Sequence, residues 1–195
     1  MLDAIKEQLE NIYGLRCEYR ASDFVVDAES ARKLGGSARA REELLVSEGE
    51  EGLELALYLH PSLTKPKSLG EFCEVVEGVS HFLYVVQAAR EERHVSLLEL
   101  EAQAEVDKFV VCALRSWGKG RELLHRLFDE ISLHTHLSEE ERWRYTEANR
   151  LARTYAQRLL PMIRAARLDR LLAEVRHAYR LGAEAKLHYF ARRAA

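Results

Sequence analysis

The sequence predicts a predominantly helical α+β fold. A small, mostly antiparallel sheet near the N-terminus packs on a helical domain centred on a long helical hairpin at residues 68–117. Three observations carry that prediction. Ser68-Leu69-Gly70-Glu71 and Ser96-Leu97-Leu98-Glu99 both fit S-x-x-E, in which a hydroxyl and a carboxylate satisfy backbone donors left open at a helix start, and each leads into a long, mostly apolar run. Leu53, Leu55, Leu57 and Leu59 alternate with Glu54, Ala56 and Tyr58, the period of a strand with one buried face. The composition, 47% hydrophobic and 31% charged with only three prolines, is that of a helix-rich globular chain.

Taken in order, Leu2, Ile5, Leu9 and Ile12 recur at helical spacing and predict an opening helix that stops near Gly14. Phe24, Val25 and Val26 suit a brief strand, after which Asp27 caps a small helix through Leu34, ended by Gly35-Gly36. Residues 44–46 and 53–59 flank a loop rich in Gly and charge and predict a β-hairpin. Pro61 and Pro66 remove ladder donors, so residues 60–67 cannot extend that strand. They mark the internal boundary, with a small α/β part at 1–67 and a helical domain at 68–195. The first part is too small for a core of its own, which predicts one compact unit.

In the first long helix Phe72, Val75, Val76, Val79, Phe82, Leu83 and Val86 share a face, with Glu74, Glu77, His81 and Tyr84 opposite. In the second, Leu98, Ala102, Val106, Phe109, Val110, Ala113 and Trp117 form the apolar stripe beside a polar strip of Glu101, Glu105, Lys108, Cys112 and Arg115. Gly118 and Gly120 end it, and a short helix follows. Ser138-Glu139-Glu140-Glu141 is a third S-x-x-E start, for a helix reaching about Leu160 that Pro161 kinks or restarts. Leu168, Leu171, Leu172 and Val175 mark another helix, and Gly182 separates it from a last segment with Leu187, Tyr189 and Phe190.

Two pairs on the hairpin carry candidate chemistry. Glu77 with His81, and Glu101 with Glu105, each stand one turn apart on one helix face. Carboxylates and imidazole from facing helices are how helical bundles hold divalent ions, so Glu77, His81, Glu101 and Glu105 are the candidate metal ligands of a hydrolase or nuclease. The spacing lacks the Glu-x-x-His of di-iron bundles and there is no H-E-x-x-H. A plainer reading has Lys108 neutralising Glu105 and His81 pairing with Glu77 on a solvated or subunit-facing surface, with no cofactor expected. Glu105-Val106-Asp107-Lys108 is similar to the acidic-plus-lysine ending of some metal nucleases, but there the residues lie on a strand. His134-Thr135-His136 spaces two imidazoles as metal sites do, in a loop with no third ligand in view. Neither Gly35-Gly36 nor Gly118-Lys119-Gly120 belongs to a phosphate-loop motif.

The net charge of −3 is unevenly spread. Residues 148–195 hold eleven cations against three acids, +8, which leaves −11 for the remainder. Arg150, Arg153, Arg176, Arg180 and Lys186, interleaved with aromatic residues, are the candidates for contact with nucleic acid or phosphate. Nucleic-acid domains are usually basic overall, with pI above about 9, and this chain has a pI near 6.3. Mutual attraction of the two halves, within or between copies, is therefore preferred. Cys17, Cys73 and Cys112 are odd in number and widely spaced, which suits reduced thiols in a cytoplasm, and the excess of Arg over Lys suits a bacterial source. The N-terminal residues do not read as a signal peptide, and no apolar run approaches a bilayer span of about 20 residues. The function expected is a self-associating, homo-oligomeric, non-enzymatic protein-interaction or regulatory subunit of a larger assembly, whose partner is itself or another protein, with no catalytic residue assigned and no membrane partner.

Overall fold

The computed structural model describes residues 1–37, 39–49, 52–131 and 137–193. Its backbone contacts group the chain into two compact units, residues 1–11 with 15–94, and residues 12–14 with 95–195. Among the described residues there are eight α-helices and one three-stranded sheet, so the fold is α+β and predominantly helical.

In the first unit, helix α1 (Leu2–Tyr13) precedes a 3-10 turn at Ala21–Phe24, strand β1 (Val25–Val26) and helix α2 (Ala28–Lys33). Asp27 caps α2 by accepting the Ser30 N–H at 2.8 Å, as its position before the helix predicts. Strands β2 (Glu42–Gly49) and β3 (Gly52–Leu59) form the expected hairpin, from Glu42 opposite Leu59 to Gly49 opposite Gly52. The strand order is β1-β3-β2, and β1 runs parallel to β3, with Val25 opposite Leu57. The sheet is thus mixed, antiparallel in its long ladder and parallel in its short one.

Helix α3 (Leu69–Arg90) packs on the sheet. Ser68 Oγ accepts the Glu71 N–H at 3.1 Å and starts it. Phe82, Val86 and Ala21 form a buried cluster on which Leu2, Phe24, Leu44 and Leu55 pack. Arg41, just before β2, ties the sheet to the first turns of α3 through Glu74 at 3.0 Å and reaches Ser62 at 3.2 Å. Gly78 is required by close approach, since a Cβ there would lie 2.9 Å from Glu42 Cγ and 3.1 Å from Leu57 Cδ1. The predicted polar face of α3 is not solvated: His81 and Tyr84 are buried and Glu77 is half-buried.

The second unit is all helical: α4 (Leu97–Arg115), α5 (Gly120–Phe128), α6 (Glu139–Arg164), α7 (Leu168–Tyr179) and α8 (Ala183–Ala191). Helices α4 and α6 pack on each other, α5 and α8 lie against both, and α7 packs on α6 and α8. Ser96 and Ser138 start α4 and α6 by accepting N–H groups from Glu99 and Glu141, each at 3.2 Å, and Glu141 returns the bond to the Ser138 N–H at 2.8 Å.

Two details differ from the sequence prediction. Helix α6 runs through Pro161 to Arg164. The missing proline N–H costs one ladder bond close to the C-terminal end, where few bonds remain to be broken. Trp117 lies beyond the end of α4 and is 40% exposed, outside the stripe assigned to it, because Gly118 at φ +93° already turns the chain away. Residues 105–108 are helical, which removes the similarity to a nuclease strand. No helix among the described residues is long and apolar enough to cross a membrane.

Candidate functional site

One exposed feature of the first unit is the edge of its sheet. Strand β2 pairs only through one side, with β3, and among the described residues no strand pairs with its other side. Cross-strand neighbours share a face. Leu44, Val46, Leu55 and Leu57 therefore point toward α3, while Leu45 and Ser47 share the opposite face with Ala56 and Glu54. Burial falls off along the strand: residues 42–45 are half-buried, and from Val46 to Gly49 the strand is exposed. Val46 is 48% and Leu53 41% exposed at that outer end.

Beside this edge opens a cavity of about 140 Å³, lined by Leu34, Leu45, Val46, Leu55 and Ala56, with the exposed Ser47 and Glu54 as its polar part. Acids surround it. Glu43 accepts the Ser37 N–H at 2.8 Å, while Glu48 and Glu54 are exposed. None of the three is in an ion pair among the described residues. The electrostatic setting is acidic at larger scale too: residues 1–94 hold eleven cations against eighteen acids, −7, and residues 95–195 hold eighteen against fourteen, +4.

The predicted metal ligands lie on two helices of different units. In the first, Glu77 and His81 sit one turn apart on α3, and His81 Nδ1 lies 3.4 Å from Glu42 Oε1. In the second, Glu101 Oε1 lies 3.9 Å from Arg144 Nε, and Glu105 accepts from Lys108 Nζ at 2.8 Å, the pairing expected for that lysine. His134, Thr135 and His136 lie outside the described residues. Cys17, Cys73 and Cys112 are in no disulfide, and Cys73 and Cys112 are buried.

The basic candidates are mostly engaged within the second unit. Arg150 holds Glu147 at 2.6 Å and Arg153 holds Asp129 at 2.6 Å, and each pair draws its carboxyl below the usual range through hydrogen bonds from the guanidinium. Arg176 donates to the Ile12 carbonyl at 2.8 Å. Arg180 is exposed. Lys186 is fully buried, donating to Gln103 Oε1 at 2.9 Å and the Tyr179 carbonyl at 3.0 Å.

That lysine belongs to a buried network that sequence reasoning missed. Tyr13 donates its hydroxyl proton to Asp107 Oδ1 through a short hydrogen bond. The Gln103 amide donates to Asp107 at 2.8 Å and to the Tyr13 oxygen at 3.2 Å, and the Tyr13 ring stacks on Tyr179 at 4.1 Å. Burial, reinforced by the Asp107 charge, pushes the Tyr13 phenol well above its usual range. The one sequence signal was Gln103 with Asp107, an i and i+4 polar pair on a face of α4 distinct from Glu101 and Glu105. Its members are enclosed and satisfy one another, which is the chemistry of a structural lock.

Comparison of the chain with protein-family models, curated proteins and solved structures gave no match. The geometry is therefore what a functional reading rests on.

Proposed function

We propose that this chain is a non-enzymatic protein-interaction subunit that docks other chains along the open edge of β2. The observation that supports it is an eight-residue edge strand whose outer half is exposed and carries Val46, beside an apolar cavity. An uncovered strand edge presents unsatisfied backbone groups to any extended chain, and soluble proteins usually blunt such edges with proline, lysine or a covering element. β2 contains neither proline nor lysine, and its charged residues, Glu42, Glu43 and Glu48, are all acidic, which guards the edge against another acidic strand and leaves it open to a basic one. Affinity capture with the wild-type chain and with Val46→Lys tests the reading. Val46 is exposed, so the substitution should shift stability by no more than about 0.5 kcal/mol. Partners held by the wild type and lost with the variant are expected, and equal recovery by both would remove the edge from the account.

A second reading has its own observation. Arg164, Arg167 and Arg170 are exposed around the α6–α7 turn and form no ion pair among the described residues. They are the residues on which phosphate or nucleic-acid binding by the C-terminal half would depend. Anisotropy of a labelled single-stranded oligonucleotide, titrated with salt, checks it: electrostatic binding weakens steeply as salt rises. The metal-dependent hydrolase remains a competing proposal, tested by elemental analysis of protein purified without chelator and by melting with added Zn²⁺ or Mn²⁺.

A further inference from the structure

We infer that the β2 edge takes an extended segment of a different protein, with an apolar anchor side chain at its centre and lysine or arginine on its flanks; this rests on the docking reading above. Three features of the edge select that occupant. The first is the backbone. An incoming strand paired with β2 gains main-chain hydrogen bonds that carry no sequence preference, so selectivity must come from what lies beside the strand.

The second is the cavity. At about 140 Å³, with Leu34, Leu45 and Ala56 contributing apolar wall, it is an apolar recess next to the edge. An engineered apolar cavity of about 150 Å³ accommodates a benzene ring, so the recess is on the scale of one leucine or phenylalanine side chain. A strand added to β2 places alternate residues on the Leu45 face, which is the face that opens into the recess. One anchor from that alternating set fills it.

The third is charge. Glu43 and Glu48 stand toward the two ends of β2 with Leu44, Leu45 and Val46 between them, and Glu54 lies across from Ser47 on the neighbouring strand. A segment with cations at its ends and an apolar centre matches this arrangement. A second copy of β2 does not. A two-fold antiparallel ladder keeps each face of β2 on its own side, so its longest registers centre on Leu45, which sets Glu42 opposite Glu48, or on Val46. β2 carries three acids and no cation, so neither register brings a cation to Glu43 or Glu48, and the first places like charges opposite each other. The net −7 of residues 1–94 adds to that repulsion. The same acids that discourage pairing between copies favour a basic strand.

The experiment is selection of phage-displayed random octapeptides on the immobilised full chain, followed by titration of the enriched synthetic peptides into ¹⁵N-labelled protein. Enriched peptides should carry a central Leu, Ile or Phe with flanking Lys or Arg, and their amide shifts should concentrate on residues 42–49 and Leu34. The double variant Glu43→Lys with Glu48→Lys should weaken them about tenfold at low salt, by turning two attractive cross-strand pairs into repulsive ones, while the variant still melts in one cooperative transition even though the Ser37 bond to Glu43 is lost. Peptides that map to β2 but are acidic or uncharged would overturn the partner chemistry and leave docking at the edge standing. A dimer in which β2 of one copy pairs as a strand with β2 of the other would show that the occupant is a second copy and overturn the inference. Failure of any octapeptide to enrich, with no dimer formed, would overturn both the inference and the docking reading.

Discussion

Asp3 shows how much a single exposed-rim carboxylate depends on its neighbours. Burial alone would raise its carboxyl, yet hydrogen bonds from the Ser22 N–H, the Ser22 hydroxyl and Arg20 outweigh that and hold it at about 2, below the ordinary 3.8. A carboxyl with a lower value folded than unfolded contributes stability that is whole above about pH 4 and is lost as the pH falls toward 2. Asp3→Asn should therefore flatten the acid limb of a plot of urea midpoint against pH, and an unchanged limb would show that these bonds do not persist in solution. Tyr13 has the opposite sign. Its phenol is raised, so its contribution is intact below about pH 10 and lost only above it, and Tyr13→Phe should cost about 1–2 kcal/mol in a denaturant titration at neutral pH. The loss is limited because Gln103 still donates to Asp107 in the variant. Neither residue was marked by the sequence. Asp3 reads as an ordinary first-turn acid and Tyr13 as the end of an amphipathic helix, and the partners that define them are 19 and 94 positions away.

At the scale of elements, what was legible is what is local. Ser68, Ser96, Ser138 and Asp27 each cap the helix they precede, because an N-cap needs only a side-chain oxygen and an N–H three residues on. Ser138→Ala should cost about 1 kcal/mol, read as a shift in denaturation midpoint, since the hydroxyl that accepts the Glu141 N–H is lost while the Ser138 N–H can still donate to Glu141. The β2–β3 ladder was legible from the alternating leucines, but the position of β1 was not. Two residues pair in parallel with a strand about thirty positions later, and no periodicity encodes that. Hence β2 could be recognised as a strand but not as an edge, and the candidate site built on it was out of reach of the sequence. Gly78 was equally silent. Helix propensity favours alanine there by about 1 kcal/mol, whereas the structure brings Glu42 and Leu57 within contact of the missing Cβ. Gly78→Ala is expected to destabilise by about 1–3 kcal/mol, as overpacking does. A stabilised variant would mean that α3 stands further from the sheet than described.

For the whole molecule the governing quantity is the charge imbalance, −7 over residues 1–94 against +4 over residues 95–195. Patterning on the two long helices suggests polar faces that are solvated or subunit-facing, and burial of His81, Glu101 and Lys108 excludes the solvated alternative for them: a wheel sorts residues by type, while burial depends on how many neighbours surround the helix. The polar groups that remain exposed are therefore the ones available for association, acidic around β2 and basic around the α6–α7 turn. If opposite patches on neighbouring copies attract, association is a screened surface effect. It should be strongest well below about 50 mM salt and vanish by about 0.5 M, where the Debye length falls below roughly 5 Å. Light scattering across that range checks it, and the expected outcome is a mass above that of the monomer at low salt that returns to the monomer value at high salt. Arg164→Glu with Arg167→Glu should abolish the low-salt species, because it removes the basic side of the contact while leaving β2 untouched. A mass that is independent of salt, and equally so in the double variant, would mean that the imbalance serves a partner other than the chain itself.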